Sequence, residues 1–399
     1  MLNIVFYFQV HQPYRLSHYK VLDIGRGGSY FDEGLNARIM RKVGDRCYLP
    51  TNHLLRTLIR RHPQRFKVAF SITGVAVEQF KLYAPDVLDS FKALVDTGNV
   101  ELIGETYYHS LASLFDTDEF LEQAHLHRQM LRDEFGVSPT VFRNTELIYD
   151  DRLSDLVWEE EGYKVVLTEG ADRVLQWRSP LYAYKNYSKD LMLLLKYYKL
   201  SDDIAFRFSD SEWDEYPLTA EKFVHWINQL TLNENQGRNQ FLNLFLDYET
   251  FGEHQWAESG IFEFMERLPE VVLQQPSLGF CFPSEAPRFA NYQAEAISFP
   301  DPVSWADLER DLSAWMENDM QRNAIETLYD LLPRIKRAGR DDLLRLARML
   351  STSDHFYYMS TKYFQDGDVH KYFSPYDSPE QAYIYHINAL ADLEERLLQ

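Results

Sequence analysis

The sequence predicts an α/β fold, a parallel barrel or doubly wound sheet carrying a helical C-terminal region, and three observations lead there. Short apolar runs alternate with longer helical patterns through the first two thirds of the 399 residues, as stacked βα units require. Those runs end in ionisable residues. From Trp305 onward the period becomes helical throughout.

The strands expected in order are Asn3 to Val10, Phe66 to Ile72, Val100 to Gly104, Thr140 to Asn144, Lys164 to Thr168, Met192 to Tyr197, Ile204 to Phe208 and Phe241 to Leu246. Between them Val75 to Asp96, Thr117 to Glu134 and Thr219 to Leu230 carry apolar residues at helical spacing, long enough for crossover helices. An eight-stranded barrel needs about 250 residues, and a variant with one strand fewer fits the same span. The expected division is a (β/α)-type catalytic barrel over residues 1–275 and a mainly helical region over residues 276–399. In the latter, the stretch from Trp305 to Gly339 reads as helix with Gly339 as its stop; Asp341 to Met359 reads as another, and Ser378-Pro379 opens a last one. No linker separates the two parts, so the helices are expected to pack directly on the barrel and to contribute to its site.

Composition removes several function classes. Lys and Arg total 41 against 61 Asp and Glu, a formal charge of −20, and such a surface repels phosphate backbones and anionic membranes. Nucleic acid and membrane are therefore not expected partners. Cys47 and Cys281 are the two cysteines and lie far apart, so neither a disulfide framework nor a paired-cysteine zinc site is legible. The N-terminal MLNIVFYFQV has no basic region before it and reads as a buried strand rather than a signal. No apolar stretch reaches the roughly 20 residues of a spanning helix, and a cytoplasmic location is the default expectation.

In parallel α/β folds catalytic groups gather at the C-terminal ends of strands. The first strand ends in His11-Gln12, the third in Gly104-Glu105 with His109 soon after, the fourth in Arg143-Asn144-Thr145-Glu146, and a late strand in Asp247-Tyr248-Glu249 with His254 beyond. A single carboxylate at a strand end is commonly a helix cap or salt-bridge partner. Four strand ends presenting His11, Glu105, Glu146 and Asp247 to one face would build a carboxylate-rich pocket suited to acid and base catalysis. Glycosidic bond cleavage needs two carboxylates and no cofactor. Tyr107, Tyr108, Tyr149, Tyr248, Phe251, Trp256 and Trp305 cluster near these positions, and aromatic faces suit sugar rings, although most such residues belong to cores.

At these residues the chain resembles glycoside hydrolase family 57, the α-amylase-like family of retaining α-glucan enzymes. The resemblance runs through HQP at His11, GETYYHSL at Gly104, FRNTELIYD at Phe142, FLDYETFGEHQ at Phe245, SWADLERDLSAW at Ser304 and TSDHFYYM at Thr352. It implies an incomplete (β/α)7-type parallel barrel with a C-terminal helical region. It also implies α-1,4-glucan or maltooligosaccharide as substrate, Glu146 as nucleophile and Asp247 as general acid/base, and retention asks for carboxyls about 5 to 5.5 Å apart. By the same resemblance His11 and His109 line the sugar site, Glu105 orients one of them, and Trp305, Asp307, Asp354 and His355 close it from the helical side. Gln12, Arg143, Tyr248 and His254 within these motifs, and Trp256 directly after one, are assigned to substrate binding.

Three rivals stand beside this reading. A metal-dependent hydrolase would need converging His and carboxylate ligands; His125 and His127 are two apart on a helix and point to different faces, so no metal or cofactor is expected. A non-catalytic glucan-binding protein should have lost one catalytic carboxylate. A 4-α-glucanotransferase or branching enzyme would use the same two carboxylates and differ in how it excludes water.

Overall fold

The computed structural model describes residues 1–159, 162–234, 238–290, 294–362 and 374–399. Among the described residues ten strands form two sheets: β1 (Leu2–Val10), β2 (Val68–Ile72), β3 (Val100–Leu102), β4 (Val141–Arg143), β5 (Val165–Glu169), β6 (Tyr184–Asn186), β7 (Met192–Lys196), β8 (Gln240–Asp247), β9 (Leu278–Phe280) and β10 (Glu295–Ile297). One sheet runs β3-β2-β1-β8 with β9 beside the start of β1, and the other runs β10-β6-β7-β5-β4.

All nine residues of β1 are buried, the continuous apolar run expected of a parallel strand covered on both faces. Its register aligns Gln9 with Ser71 of β2 on one side and with Asp247 of β8 on the other. The polar C-terminal ends of neighbouring strands therefore meet at one rim. The two sheets join at two thin seams. At one, the Gly104 N–H donates to Val141 O and the Arg143 N–H to Gly104 O, both at 2.9 Å. Only glycine fits there, because a Cβ would lie 2.1 Å from the Tyr163 hydroxyl. At the other, Tyr197 N–H donates to Asn243 O at 2.8 Å, and the Asn243 side chain returns a bond to Leu195 O at 2.8 Å. Strands β1, β2, β3, β4, β5, β7 and β8 thus make an incomplete seven-stranded parallel barrel.

The structure departs from the expected elements in five places, one being Asp341 to Met359, which is two helices, Asp341–Leu350 and Ser353–Tyr357, rather than one. Residues 204–208 do not form a strand: Asp203–Arg207 is a π-type turn continuing the helix Tyr198–Asp202, tightened by an Asp203–Arg207 ion pair one turn apart. The single helix read from Val75 to Asp96 is two helices, Gly74–Tyr83 and Pro85–Val95, because Pro85 forbids the α conformation at Ala84. Three short strands, β6, β9 and β10, carry too little alternation to be read from sequence. Two of them lie beyond residue 275 and still pair with β6 and β1. Finally, residues 305–312 are not helical; the long helix begins at Asp319, where Asn318 and Gln321 form a reciprocal cap, and ends at Gly339 with φ 65°.

The helical region is seated by specific bonds. Glu119, fully buried on the helix Thr117–Phe135, accepts from Arg348 at 2.8 Å and from Lys336 at 2.7 Å. The last helix, Pro379–Leu398, starts on a Ser378 cap with proline in its first turn. Its Leu390 and Leu393 share a core with Tyr14, Leu16, Tyr30 and Tyr108 from the barrel side. Cys47 and Cys281 are free and buried. Among the described residues no helix is long and apolar enough to cross a membrane.

Candidate active site

A cavity of about 570 Å³ opens at the C-terminal rim of the barrel, lined by Gln9, His11, His109, Glu146, Lys196, Asp202, Asp247, Glu249, Trp305, Asp307 and Asp354 among others. The loop after β4 carries Glu146 in the left-handed region at φ 58°, with Leu147 at φ 54°. Non-glycine residues adopt this conformation only when their surroundings over-determine it. Here Thr145 and Thr106 hydroxyls bond at 2.7 Å, Asn144 ties back to Ile148 O at 3.1 Å, and Val303 and Tyr149 exchange backbone bonds at 3.0 and 3.1 Å. That antiparallel stitch brings Trp305 over the carboxylate.

Both oxygens of Glu146 are engaged. Trp305 Nε1–H donates to Oε2 at 2.7 Å, Ser353 Oγ–H donates to Oε1 at 2.9 Å, and His109 Nε2 lies 3.4 Å from Oε1. Ser353 reaches the site because its own N–H donates to His109 O at 2.8 Å. The helical region therefore supplies part of the cradle around Glu146.

His109 stands between two carboxylates, with Nδ1 3.0 Å from Glu105 Oε2. Burial opposes its charge, but the bonds to Glu105 and Glu146 outweigh burial and lift it to about 9, so it is an imidazolium at neutral pH. Glu105 is held in turn by Gln9 Nε2 at 3.1 Å and by the Ser71 hydroxyl. His11 stacks on His109 with ring centroids 4.1 Å apart. Burial and the His109 charge hold His11 below its ordinary pKa, and a neutral ring satisfies its neighbours. Its Nε2–H donates to Asp354 Oδ2 at 2.9 Å, while Nδ1 accepts from Thr73 Oγ at 3.0 Å. Burial would raise Asp354, but His11 and His109 hold it far below the carboxylate range.

Glu146 and Asp247 are shifted in opposite directions although they share the cavity. Burial would raise Glu146, yet the hydrogen bond and charge of His109, with Arg143 behind, outweigh it and leave the carboxyl below its ordinary value. Burial raises Asp247, the Glu146 charge raises it further, and it stands at about 6 in spite of Arg143, Lys196 and His109. One carboxyl is kept ionised and the other is kept able to hold a proton, which is the division of labour acid-assisted displacement needs.

Of the remaining residues singled out from sequence, Gln12, His254 and Asp307 line the cavity. Gln12 Nε2 donates to Glu249 at 3.3 Å, burial lowers His254 to about 4, and Asp307 pairs with Lys362 at 3.3 Å. Glu105 and Arg143 are fully buried behind the wall and act on the site by charge, the Arg143 guanidinium lying 4.8 Å over the Trp305 ring. Glu105 and Arg143 therefore do not reach the cavity as substrate-binding residues, and three further assignments need correction. Tyr248 belongs to the barrel core, donating to Asn52 at 2.6 Å and packed on Phe8 and Phe70. His355 packs 5.5 Å from His386 beneath the surface, held near 3 by burial and by His386. Trp256 is 63% exposed and outside the cavity lining. Of the aromatic residues noted near the strand ends, Trp305 alone lines the cavity. His125 is exposed, whereas His127 is buried, accepting the Glu105 N–H at Nδ1 and donating to Ile72 O at 2.9 Å. Among the described residues no three His, Cys, Asp or Glu side chains are placed to hold a metal ion.

Sequence reading missed Thr73, Lys196, Asp202, Arg310 and Ser353, and placed Glu249 at a strand end without a role in the site. Lys196 ends β7 and was findable by the strand-end rule, and Ser353 sits inside the TSDHFYYM motif. Asp202 and Arg310, 3.4 Å apart, join through tertiary contact and left no local signal.

The sequence model of glycosyl hydrolase family 57 matches residues 5–300. A protein of Methanocaldococcus jannaschii named "Putative alpha-amylase" is 44% identical over 98% of this chain and 84% of its own length. The fold is similar to that of a branching enzyme of this type from Pyrococcus horikoshii, with a TM-score of 0.71 at 15% identity over 99% of this chain and 94% of the other. It is also similar to an α-amylase of Thermotoga maritima, with a TM-score of 0.68 at 14% identity over 100% and 93%. The match along most of the chain, together with the relative that is 44% identical, makes this protein a glycoside hydrolase belonging to glycosyl hydrolase family 57.

Proposed function

We propose that the protein is an α-amylase-like enzyme that cleaves α-1,4-glucosidic bonds with retention, Glu146 acting as nucleophile and Asp247 as acid/base. The observation that carries this reading is that two carboxyls lining one cavity are shifted in opposite directions, Glu146 below its ordinary value and Asp247 up to about 6. In the first step a Glu146 oxygen bonds to the anomeric carbon while the bond to the leaving oxygen breaks and takes the Asp247 proton. In the second, Asp247 as carboxylate takes a proton from water, whose oxygen displaces Glu146 from the glycosyl ester. Ser353, Trp305 and His109 orient the nucleophile, and His109 compensates its charge as the glutamate is freed. The glucan substrate is supported by the α-amylase name of the 44%-identical relative.

The test is product analysis of maltoheptaose treated with the wild type, Glu146→Gln and Asp247→Asn. New reducing ends that either substitution abolishes establish hydrolysis by this pair. Redistributed chain lengths without new reducing ends make the enzyme a transferase, and no change in either refutes the α-1,4-glucan assignment.

A further inference from the structure

The mouth of the cavity carries two large apolar side chains that the catalytic reading does not use. Phe206 is 55% exposed and Leu308 78% exposed, and both line the opening. A scattered exposed apolar residue needs no explanation, but these two are held outward by built structure. Phe206 rides on the π-type turn Asp203–Arg207, which is fixed by the Asp203–Arg207 pair and by Gln255 Nε2 donating to Ala205 O at 2.8 Å. Leu308 sits between Asp307 at φ 55° and Arg310 at φ 50°, two left-handed non-glycine residues. Their strain is balanced by the Lys362–Asp307 pair, by Arg310 reaching Asp202 at 3.4 Å, and by the Arg310 guanidinium lying 3.8 Å over the Tyr198 ring. The Asp202–Arg310 contact joins the two lips directly.

The place of the Phe206 segment beside the strand of Asp247 points to the part of a chain it would meet. The segment bearing Phe206 packs on β8, the strand that ends in Asp247: Tyr197 N–H donates to Asn243 O at 2.8 Å, and the Phe245 N–H donates to Ser201 Oγ at 3.3 Å. The group that protonates the departing oxygen lies toward the departing sugar. Resting on the proposed assignment of Asp247, we propose that Phe206 and Leu308 form a sugar-binding subsite on the leaving-group side. Phe206 stacks on a glucose ring of the glucan chain as it exits the cavity, and Leu308 covers the ring from the opposite lip. An apolar face at a polar cavity's mouth matches a pyranose, which offers C–H groups on its faces and hydroxyls around its edge.

The experiment compares kcat/KM on maltoheptaose and maltotriose, and the cleavage pattern of maltoheptaose labelled at its reducing end, for the wild type, Phe206→Ala, Phe206→Trp and Leu308→Ala. Phe206→Ala is expected to lower the maltoheptaose-to-maltotriose ratio about five- to tenfold, the size of one aromatic contact, and to shift cleavage toward the reducing end as the leaving-group side loses a site. Phe206→Trp restores the ratio, a result that mere loss of folding would not produce. A wild type that cleaves both substrates while Phe206→Ala keeps its ratio and pattern overturns the subsite alone. A wild type inert on every maltooligosaccharide overturns the underlying glucan reading and the subsite with it.

Discussion

Replacing the proposed acid, Asp247→Asn, should destroy activity and yet stabilise the fold at alkaline pH. Burial, and then the Glu146 charge, raise this carboxyl from 3.8 to about 6, so the folded state holds the proton more tightly than the unfolded chain. A group raised in this way contributes stability below its unfolded pKa and loses it as pH climbs through the folded value. A difference of about two units corresponds to a ceiling of about 3 kcal/mol. Asp247 lines an open cavity, and solvent screening reduces the effect to roughly 1–2 kcal/mol. For a chain of this size that amounts to a rise in Tm of about 1–2.5 °C. Asparagine keeps the shape of the protonated acid and carries no charge to desolvate, so the variant escapes the loss. Calorimetric melting at pH 8 and pH 4.5 reads it: the variant should melt higher at pH 8, with the advantage shrinking at pH 4.5. A variant that melts lower at pH 8, or whose advantage is the same at both pH values, refutes the account of Asp247 as a carboxyl raised by burial.

Three further outcomes follow from the same geometry. His109 Nε2 lies 3.4 Å from Glu146, a Coulomb attraction of about 5 kcal/mol at an effective dielectric of about 20; His109→Gln should move the acid limb of kcat/KM to higher pH and lower kcat on the order of 100-fold, and an unmoved acid limb contradicts the imidazolium assignment. Ser353→Ala removes the 2.9 Å bond to Glu146 and should lower kcat/KM by about five- to thirtyfold without changing the circular dichroism spectrum. Gly252 has φ 104°, and a Cβ there would lie 2.1 Å from Arg46 O, so Gly252→Ala should cost more than about 2 kcal/mol, read as a lower urea midpoint.

Much of the site was legible because its residues follow strand ends. His11, Glu146 and Asp247 come directly after runs whose apolar content marks them as strands, and a parallel arrangement delivers all such ends to one rim. The failures have equally local causes. Ile204 to Phe208 has strand composition, but Asp203 and Arg207 are one turn apart and their pairing favours a helical turn. Tyr248 follows Asp247 by one residue, and that single step turns its ring away from the cavity into the core around Phe8 and Phe70. Trp305 opens a stretch of helical period, yet its backbone pairs with Glu146 O at 3.2 Å, and the pairing holds residues 305–312 out of helix.

Periodicity and strand-end chemistry were sufficient for the α/β class, the helical C-terminal region and the set of strand-end groups that holds Glu146 and Asp247, because each is written in local composition; the family resemblance singled out that pair. The protonation of those carboxyls was decided by tertiary structure alone. Asp247 is raised by burial and by Glu146, while Glu146 is lowered by His109, whose charge depends on Glu105. Electrostatic energy depends on distance and desolvation rather than on order along the chain. The same holds for the cavity's mouth, where Phe206 and Leu308 line one opening and Asp202 meets Arg310 across 108 positions of sequence.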